Sequence, residues 1–139
     1  MSDGNFERPS LVGSCHCGAA NWTLDDVPVS ATICNCSICR RYGALWAYGF
    51  FNEQVTVSGD TQVYLWGRHS IEFHFCSKCG CVVFWRAATF GADGRQWGAV
   101  NLRLAVDPTS VSAIALVHHD TVGMAGLPPD GMCVSNVWA

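Results

Sequence analysis

No apolar run in the chain approaches the roughly 18 residues that a membrane-crossing helix needs, which excludes a helical membrane span. Charge is scarce as well: Asp, Glu, Lys and Arg make up 14% of the 139 residues, with a net charge of -3. Lys and Arg never cluster into a basic run, so nucleic acid is not expected as a bulk partner. Residues 1–10 are polar and carry no secretory segment. Linkers, internal repeats and low-complexity stretches are missing too. These absences predict one compact domain over residues 1–139, cytoplasmic, with no membrane or nucleic-acid partner. A chain of this length buries about two thirds of its unfolded surface. Because half of its residues are hydrophobic, some apolar area must stay outside, as a pocket or as a subunit contact in an oligomer.

What the chain has in excess is cysteine. Eight of the nine stand in three tight groups: Cys15-His16-Cys17, Cys34-Asn35-Cys36-Ser37-Ile38-Cys39 and Cys76-Ser77-Lys78-Cys79-Gly80-Cys81. Thiolates this closely spaced are metal ligands first, and they exceed the four that close one zinc tetrahedron. Cys76 and Cys79 form a knuckle that curls around a metal, with Gly80 letting the backbone follow. Cys15 and Cys17 would be too far apart in an extended strand to share a metal, so the chain must bend there, and it too runs into a glycine, Gly18. The two knuckles supply four thiolates and make a structural zinc site. Cys34, Cys36 and Cys39 remain. A zinc held by three protein ligands keeps a position for water or substrate, so these three are the candidate catalytic ligands, and two zinc ions per chain are expected.

Other readings of the cysteines are of unequal weight. A disulfide framework suits short secreted chains with an even count, and bridging Cys34 to Cys36 would strain the geometry. Iron can occupy the Cys15, Cys17, Cys76, Cys79 set as readily as zinc. Cys34, Cys36 and Cys39 can also belong to a second closed site, completed by Cys81, Cys133 or a histidine.

Between the cysteine groups the pattern is that of strands, with little helix. Trp22 and Leu24 alternate with Asn21 and Thr23. Residues 44–51 read as a nearly all-apolar strand, 62–66 and 70–75 as a hairpin around Gly67-Arg68-His69, and 82–86, 96–105 and 111–117 as later strands. Turns fall at Gly59-Asp60, at residues 91–94 and at Asp107-Pro108. Residues 37–42 look like a single helical turn carrying Cys39. Six tryptophans and seven phenylalanines are mostly core; Phe73, Phe75, Phe84 and Trp85 are placed to shield the zinc at Cys76. Trp46, Tyr48 and Phe50, on alternating positions after Cys39, are candidates for a pocket over the open metal. His69 and His74 are candidate acids or bases, against the commoner hydrogen-bonded strand histidine, and His118-His119 reads as a surface pair.

The cysteine motifs resemble those of the glutathione-dependent formaldehyde-activating enzymes, a family that includes the centromere protein V group. The resemblance rests on Gly13-Ser14-Cys15-His16-Cys17-Gly18, Cys34-Asn35-Cys36-Ser37-Ile38-Cys39-Arg40 and Cys76-Ser77-Lys78-Cys79-Gly80. It continues weakly through Val100-Asn101-Leu102-Arg103 and Leu127-Pro128-Pro129-Asp130-Gly131. It implies a mainly β fold, a zinc-bound β-tent of antiparallel sheets, and a carbon–sulfur lyase activity that joins formaldehyde to glutathione. The same residues are implied as ligands: Cys15, Cys17, Cys76 and Cys79 for structural zinc, Cys34, Cys36 and Cys39 for catalytic zinc. Arg40, beside Cys39, is then a candidate for the carboxylate of a thiol substrate such as glutathione. Three thiolates leave the zinc a weak Lewis acid, which favours delivery of a thiol over activation of water. The centromere protein V resemblance equally permits a zinc-stabilised binding module without turnover.

Overall fold

The computed structural model describes residues 10–119 and 132–137, so the 127–131 stretch of the family resemblance lies outside the described residues. Among the described residues, ten strands form two sheets. The smaller has the order β1-β2-β5, built antiparallel from β1 (Ser10–Ser14), β2 (Asn21–Asp25) and β5 (Val55–Ser58). The larger has the order β10-β3-β4-β9-β8-β7-β6. Its strands are β3 (Ser30–Cys34), β4 (Trp46–Phe50), β6 (Thr61–Trp66), β7 (Ile71–Cys76), β8 (Val82–Ala87), β9 (Trp97–Asn101) and β10 (Ala115–His119). Every pairing is antiparallel except β10 with β3, which is parallel. The α-helix of the described residues is a single turn, α1 (Cys39–Tyr42), which ends where Gly43 enters the left-handed region and donates its N–H to Cys39 O. No helix of the described residues is long and apolar enough to cross a membrane.

The expected strands at 20–24, 44–51, 62–66, 70–75 and 82–86 are present with small shifts. Two others differ. The 96–105 strand stops at Asn101, because the Asn101 side chain accepts the Arg103 N–H and starts a 3₁₀ turn over Leu102–Leu104. The 111–117 strand begins only at Ala115; Val111 is buried in the turn that follows a 3₁₀ segment capped by Asp107. Strands β1, β3 and β5 escape sequence reading because each is four or five residues long, and only its partners supply register.

Alternating side chains give the larger sheet two different faces. One packs on the small sheet: Leu11, Trp22, Leu24 and Val55 meet Ala47, Phe84, Val100 and Leu116 in one core. On the opposite face Trp46, Phe73 and Ala99 form a second cluster with Cys39 and Ala44. Residues paired across neighbouring strands share a face, so Tyr48, Ala99, Trp85, Phe73 and Tyr64 make one continuous row over β4, β9, β8, β7 and β6. Ala99 is the short member of that row. Tyr48 and Trp85 meet edge-on across it, ring centroids 6.1 Å apart.

Asn101 ties these layers together. Its Nδ2 donates to Val82 O at 3.0 Å, its Oδ1 accepts from Leu45 N and Arg103 N, and its carbonyl accepts the Trp22 indole N–H at 3.2 Å. Replacing Asn101 with alanine leaves the buried Leu45 N–H and Val82 C=O unpaired. We expect N101A to lose on the order of 3 kcal/mol in urea denaturation, since an orphaned buried polar group costs about 1–3 kcal/mol. A loss below about 1 kcal/mol would mean that the side-chain bonds to Leu45 and Val82 contribute little to the fold; the Trp22 bond goes to the main-chain carbonyl, which the variant keeps.

Candidate metal centres

Two strand ends build the first centre. Cys15 follows β1, Cys17 lies in the turn toward β2, Cys76 ends β7 and Cys79 lies in the turn toward β8. The two turns repeat one design. Cys15 N donates to Ala20 O and Cys76 N to Cys81 O, each at 2.9 Å, and Gly18 and Gly80 take positive φ angles of 85° and 81°. All four Sγ atoms lie within 4.8 Å of one another. Four sulfurs at about 2.3 Å from one centre stand about 3.8 Å apart. Cys15 to Cys17 and Cys17 to Cys76 are each 3.6 Å. Backbone N–H groups of Ala20, Lys78 and Cys79 point at Cys15 or Cys76 sulfur from 3.3 to 3.5 Å, which favours thiolates.

The second centre is more local. Cys34 ends β3, Cys36 sits in the following turn and Cys39 opens α1, and their sulfurs again lie within 4.8 Å of one another. Cys36 N and Cys39 N point at Cys34 and Cys36 sulfur, respectively, at 3.5 and 3.4 Å. No fourth Cys, His, Asp or Glu joins this group among the described residues. Cys81 instead packs beside the first core, and Cys133 bonds Ser135 and Asn136, so neither completes it.

Protons cannot be shared evenly in either group. Cys79 is lowered to about 5 by the backbone N–H groups of Cys81 and Cys17. Cys17 is pushed up to about 11: the Ala19 N–H lowers it, but hydrogen bonding with Cys76 and burial outweigh that. In the second group burial raises Cys34 and Cys39, whereas at Cys36 burial is outweighed by the Cys39 N–H and the neighbouring thiols, which lower it. Cys79 and Cys76, the latter lowered by the backbone N–H groups of Cys79 and Lys78, and Cys36 ionise most readily while Cys17, Cys34 and Cys39 resist, which is the behaviour of thiols placed for a cation they share. Trp46 adds a further sign. Its buried Nε1 has no hydrogen-bond partner of good geometry, and it lowers the Cys39 thiol against the effect of burial. A donor held there suits a thiolate. Both groups thus fit metal ions, with an all-sulfur donor set that suits zinc.

A cavity of about 240 Å³ opens over the second group. Cys34, Cys36 and Cys39 form one wall; Trp46, Tyr48, Trp66, Phe73 and Trp85 form most of the rest, with Ile38, Ile71 and His119. Of the three residues expected from alternation, Trp46 and Tyr48 therefore line it and Phe50 does not. His119 is exposed, as expected of a surface residue, and it also borders the cavity, because β10 lies parallel to β3 with His119 opposite Cys34. Phe73 and Trp85 belong to this cavity too, not to a shield over Cys76. Phe84 faces the other side, stacked on His74 with centroids 4.3 Å apart.

Arg40 is exposed and lines a separate cavity of about 190 Å³, with Arg103, Asn35 and the other side of Cys34 and Cys39. His74 is a structural histidine: its ring bonds Thr61 Oγ1 at 2.8 Å and Glu72 Oε1 at 2.9 Å, and burial lowers its pKa. His69 is exposed, in the β6–β7 turn. A larger depression of about 500 Å³ beside Phe50, Phe90 and Trp97 holds no candidate metal ligands; its Arg95 is bound bidentately by Glu53 and also meets Asp93.

No curated protein matches this chain. Among solved structures, a crystal structure of a Rhodobacter sphaeroides protein is 24% identical, covering 77% of this chain and 100% of that one with a TM-score of 0.58, and at that identity it bears on the fold alone. Residues 10–110, well over half of the chain and including both cysteine groups, match the family model described as glutathione-dependent formaldehyde-activating enzyme, and the chain belongs to that family.

Proposed function

We infer that the protein is a zinc-dependent carbon–sulfur lyase of the formaldehyde-activating type, which joins a small thiol to an aldehyde and cleaves the adduct in the reverse direction. The carrying observation is the second cysteine group: three sulfurs within 4.8 Å, without a fourth ligand among the described residues, on the wall of a cavity. Cys34, Cys36 and Cys39 would hold the zinc that meets substrate. Cys15, Cys17, Cys76 and Cys79 would hold a second zinc that supports the fold, and the whole chain acts as one domain. Glutathione and formaldehyde enter as the pair named by the family. A cytoplasmic setting accords with nine free cysteines, which a reducing compartment preserves.

When bound, zinc at the second group would keep a substrate thiol as its thiolate, a form that a free thiol of pKa ~8.5 scarcely populates at neutral pH. The side chains supply the rest. In the forward direction the sulfur forms a bond to the carbonyl carbon, the carbonyl π pair moves to oxygen, and that oxygen takes up the proton lost by the thiol. In reverse the hydroxyl gives up its proton and the C–S pair returns to sulfur. The aromatic walls exclude water and confine the aldehyde beside the sulfur, which raises the effective concentration of the reacting pair. The Tyr48 hydroxyl and His119 stand on the same walls and can pass the proton.

Elemental analysis should find two zinc ions per chain; a single metal, or iron, contradicts the assignment. Brief chelation should remove about one of the two, abolish thiol binding and leave the circular dichroism spectrum unchanged. The open site exchanges first because an incoming ligand need not displace a cysteine. Bound thiol without turnover of any aldehyde would instead identify a binding module.

The two groups should also differ in what they support. C76S and C79S should unfold the chain, since a structural zinc contributes about 10–16 kcal/mol in small zinc domains. C36S should keep the fold and lose thiol binding. Spectra that collapse equally in all three variants would reverse the division of roles.

A further inference from the structure

The chemistry of the cavity walls says which thiol it accepts. Five aromatic rings and two isoleucines surround the three cysteines, and no Asp, Glu, Lys or Arg lines the cavity among the described residues. The polar groups of its lining residues are the sulfurs, the tryptophan indole N–H groups, His119 and the Tyr48 hydroxyl, none of them a permanent cation. Three thiolates around a divalent cation carry one net negative charge. A carboxylate brought into this space would lose its hydration, find no cation and face that charge, all of which oppose binding.

Size argues the same way. At about 240 Å³ the cavity is smaller than the roughly 300–1,000 Å³ of sites that bury a drug-sized ligand. It takes one ring with a short arm, not a tripeptide. The walls are also largely preformed, because four of the five rings are held by another: Phe73 packs on Trp46 at 6.0 Å and on Tyr42 at 5.3 Å, and Trp85 on Tyr48 at 6.1 Å. Trp46 and Phe73 are 1% and 2% exposed. The arginines nearest the three cysteines, Arg40 and Arg103, line the other cavity.

We propose that this cavity selects a small uncharged thiol bearing an apolar, ring-sized substituent, such as an arylmethyl group, together with the aldehyde adduct of that thiol, and discriminates against glutathione. The proposal rests on the reading of Cys34, Cys36 and Cys39 as a thiol-accepting metal site. Apolar burial supplies its affinity: a ring placed among five others loses its contact with water and gains edge and face contacts. The two carboxylates and the ammonium of glutathione would have to stay outside, and only its thiomethylene could enter.

The test uses the intact, metal-loaded protein and follows tryptophan fluorescence and calorimetry under reducing conditions. The ligands are benzyl mercaptan, 4-(mercaptomethyl)benzoate, 2-mercaptoethanol, glutathione and benzyl methyl sulfide. Benzyl mercaptan should bind at least tenfold tighter than 2-mercaptoethanol or glutathione, and the added carboxylate should weaken it at least tenfold. Glutathione binding as tightly as benzyl mercaptan, a tolerated carboxylate, or no binding of any benzyl compound overturns the proposal. The thiol-site reading fails separately. If benzyl methyl sulfide, which cannot supply a thiolate, equals benzyl mercaptan while both exceed glutathione, the cavity selects as stated but sulfur does not reach the metal. W66A should weaken benzyl mercaptan about tenfold and leave 2-mercaptoethanol unchanged, and W66F should restore most of the loss; equal weakening of both thiols by W66A overturns the role of the walls.

Discussion

Sulfur crowding is the constraint on which the rest of this structure depends. Seven cysteines are gathered into two groups in which every sulfur lies within 4.8 Å of the others. At that spacing the thiols cannot all ionise in the absence of a cation, as the opposed shifts of Cys17 and Cys79 express. The first group also joins two sheets that otherwise share only isolated hydrogen bonds, such as that from Trp22 Nε1 to Asn101 O. Cys15 leaves a strand of the small sheet, Cys76 ends a strand of the large one, and no ladder of backbone bonds links the two sheets. A metal held there is a cross-link between layers 59 residues apart in sequence at Cys17 and Cys76. The second group spans one turn and joins no layers, so the fold asks less of it.

How much of this was legible in the sequence depended on the distance over which each signal acts. Ligand spacing is local chemistry: Cys76 and Cys79 curl because two residues and a glycine let them, and both groups stand as their spacing implied. Strands with strong alternation, such as Trp22 and Leu24 of β2, were equally plain. The parallel pairing of β10 with β3 was not, because register between distant strands leaves no trace in either segment alone. That pairing is what carries His119 to Cys34, and it is why an exposed histidine also borders the cavity. Phe73 and Trp85 were misassigned for a related reason. Nearness to Cys76 in sequence says nothing about face, and successive residues of β7 and β8 point to opposite sides of the sheet.

The larger sheet does two jobs because its faces alternate. Toward the small sheet it presents Ala47, Val100 and Phe84 to a closed core, while on the other side the same strands present Tyr48, Ala99 and Trp85. A large residue in place of Ala99 would fill the row from edge to edge. Instead the fully buried Ala99 lies between Tyr48 and Trp85, whose rings meet across it. Part of the apolar area that a weakly charged chain cannot cover is thereby placed where chemistry stands beside it, while Val29, Phe90 and Val106 stay exposed elsewhere.

Trp46 belongs to both parts of that place. Its ring packs on Phe73 as a wall, and its indole N–H is buried next to Cys39 with no better acceptor. A buried donor of this kind is costly until an acceptor appears, and a protonated thiol is a poor one. Ionisation of Cys39 gives the N–H its acceptor, and burial opposes that ionisation unless a cation is shared with Cys34 and Cys36. The order of the aromatic wall and the charge state of the sulfurs are therefore linked through one side chain. A metal that draws the three thiolates together also satisfies the group that holds the wall, so the ligand site and the cavity beside it are stabilised by the same event.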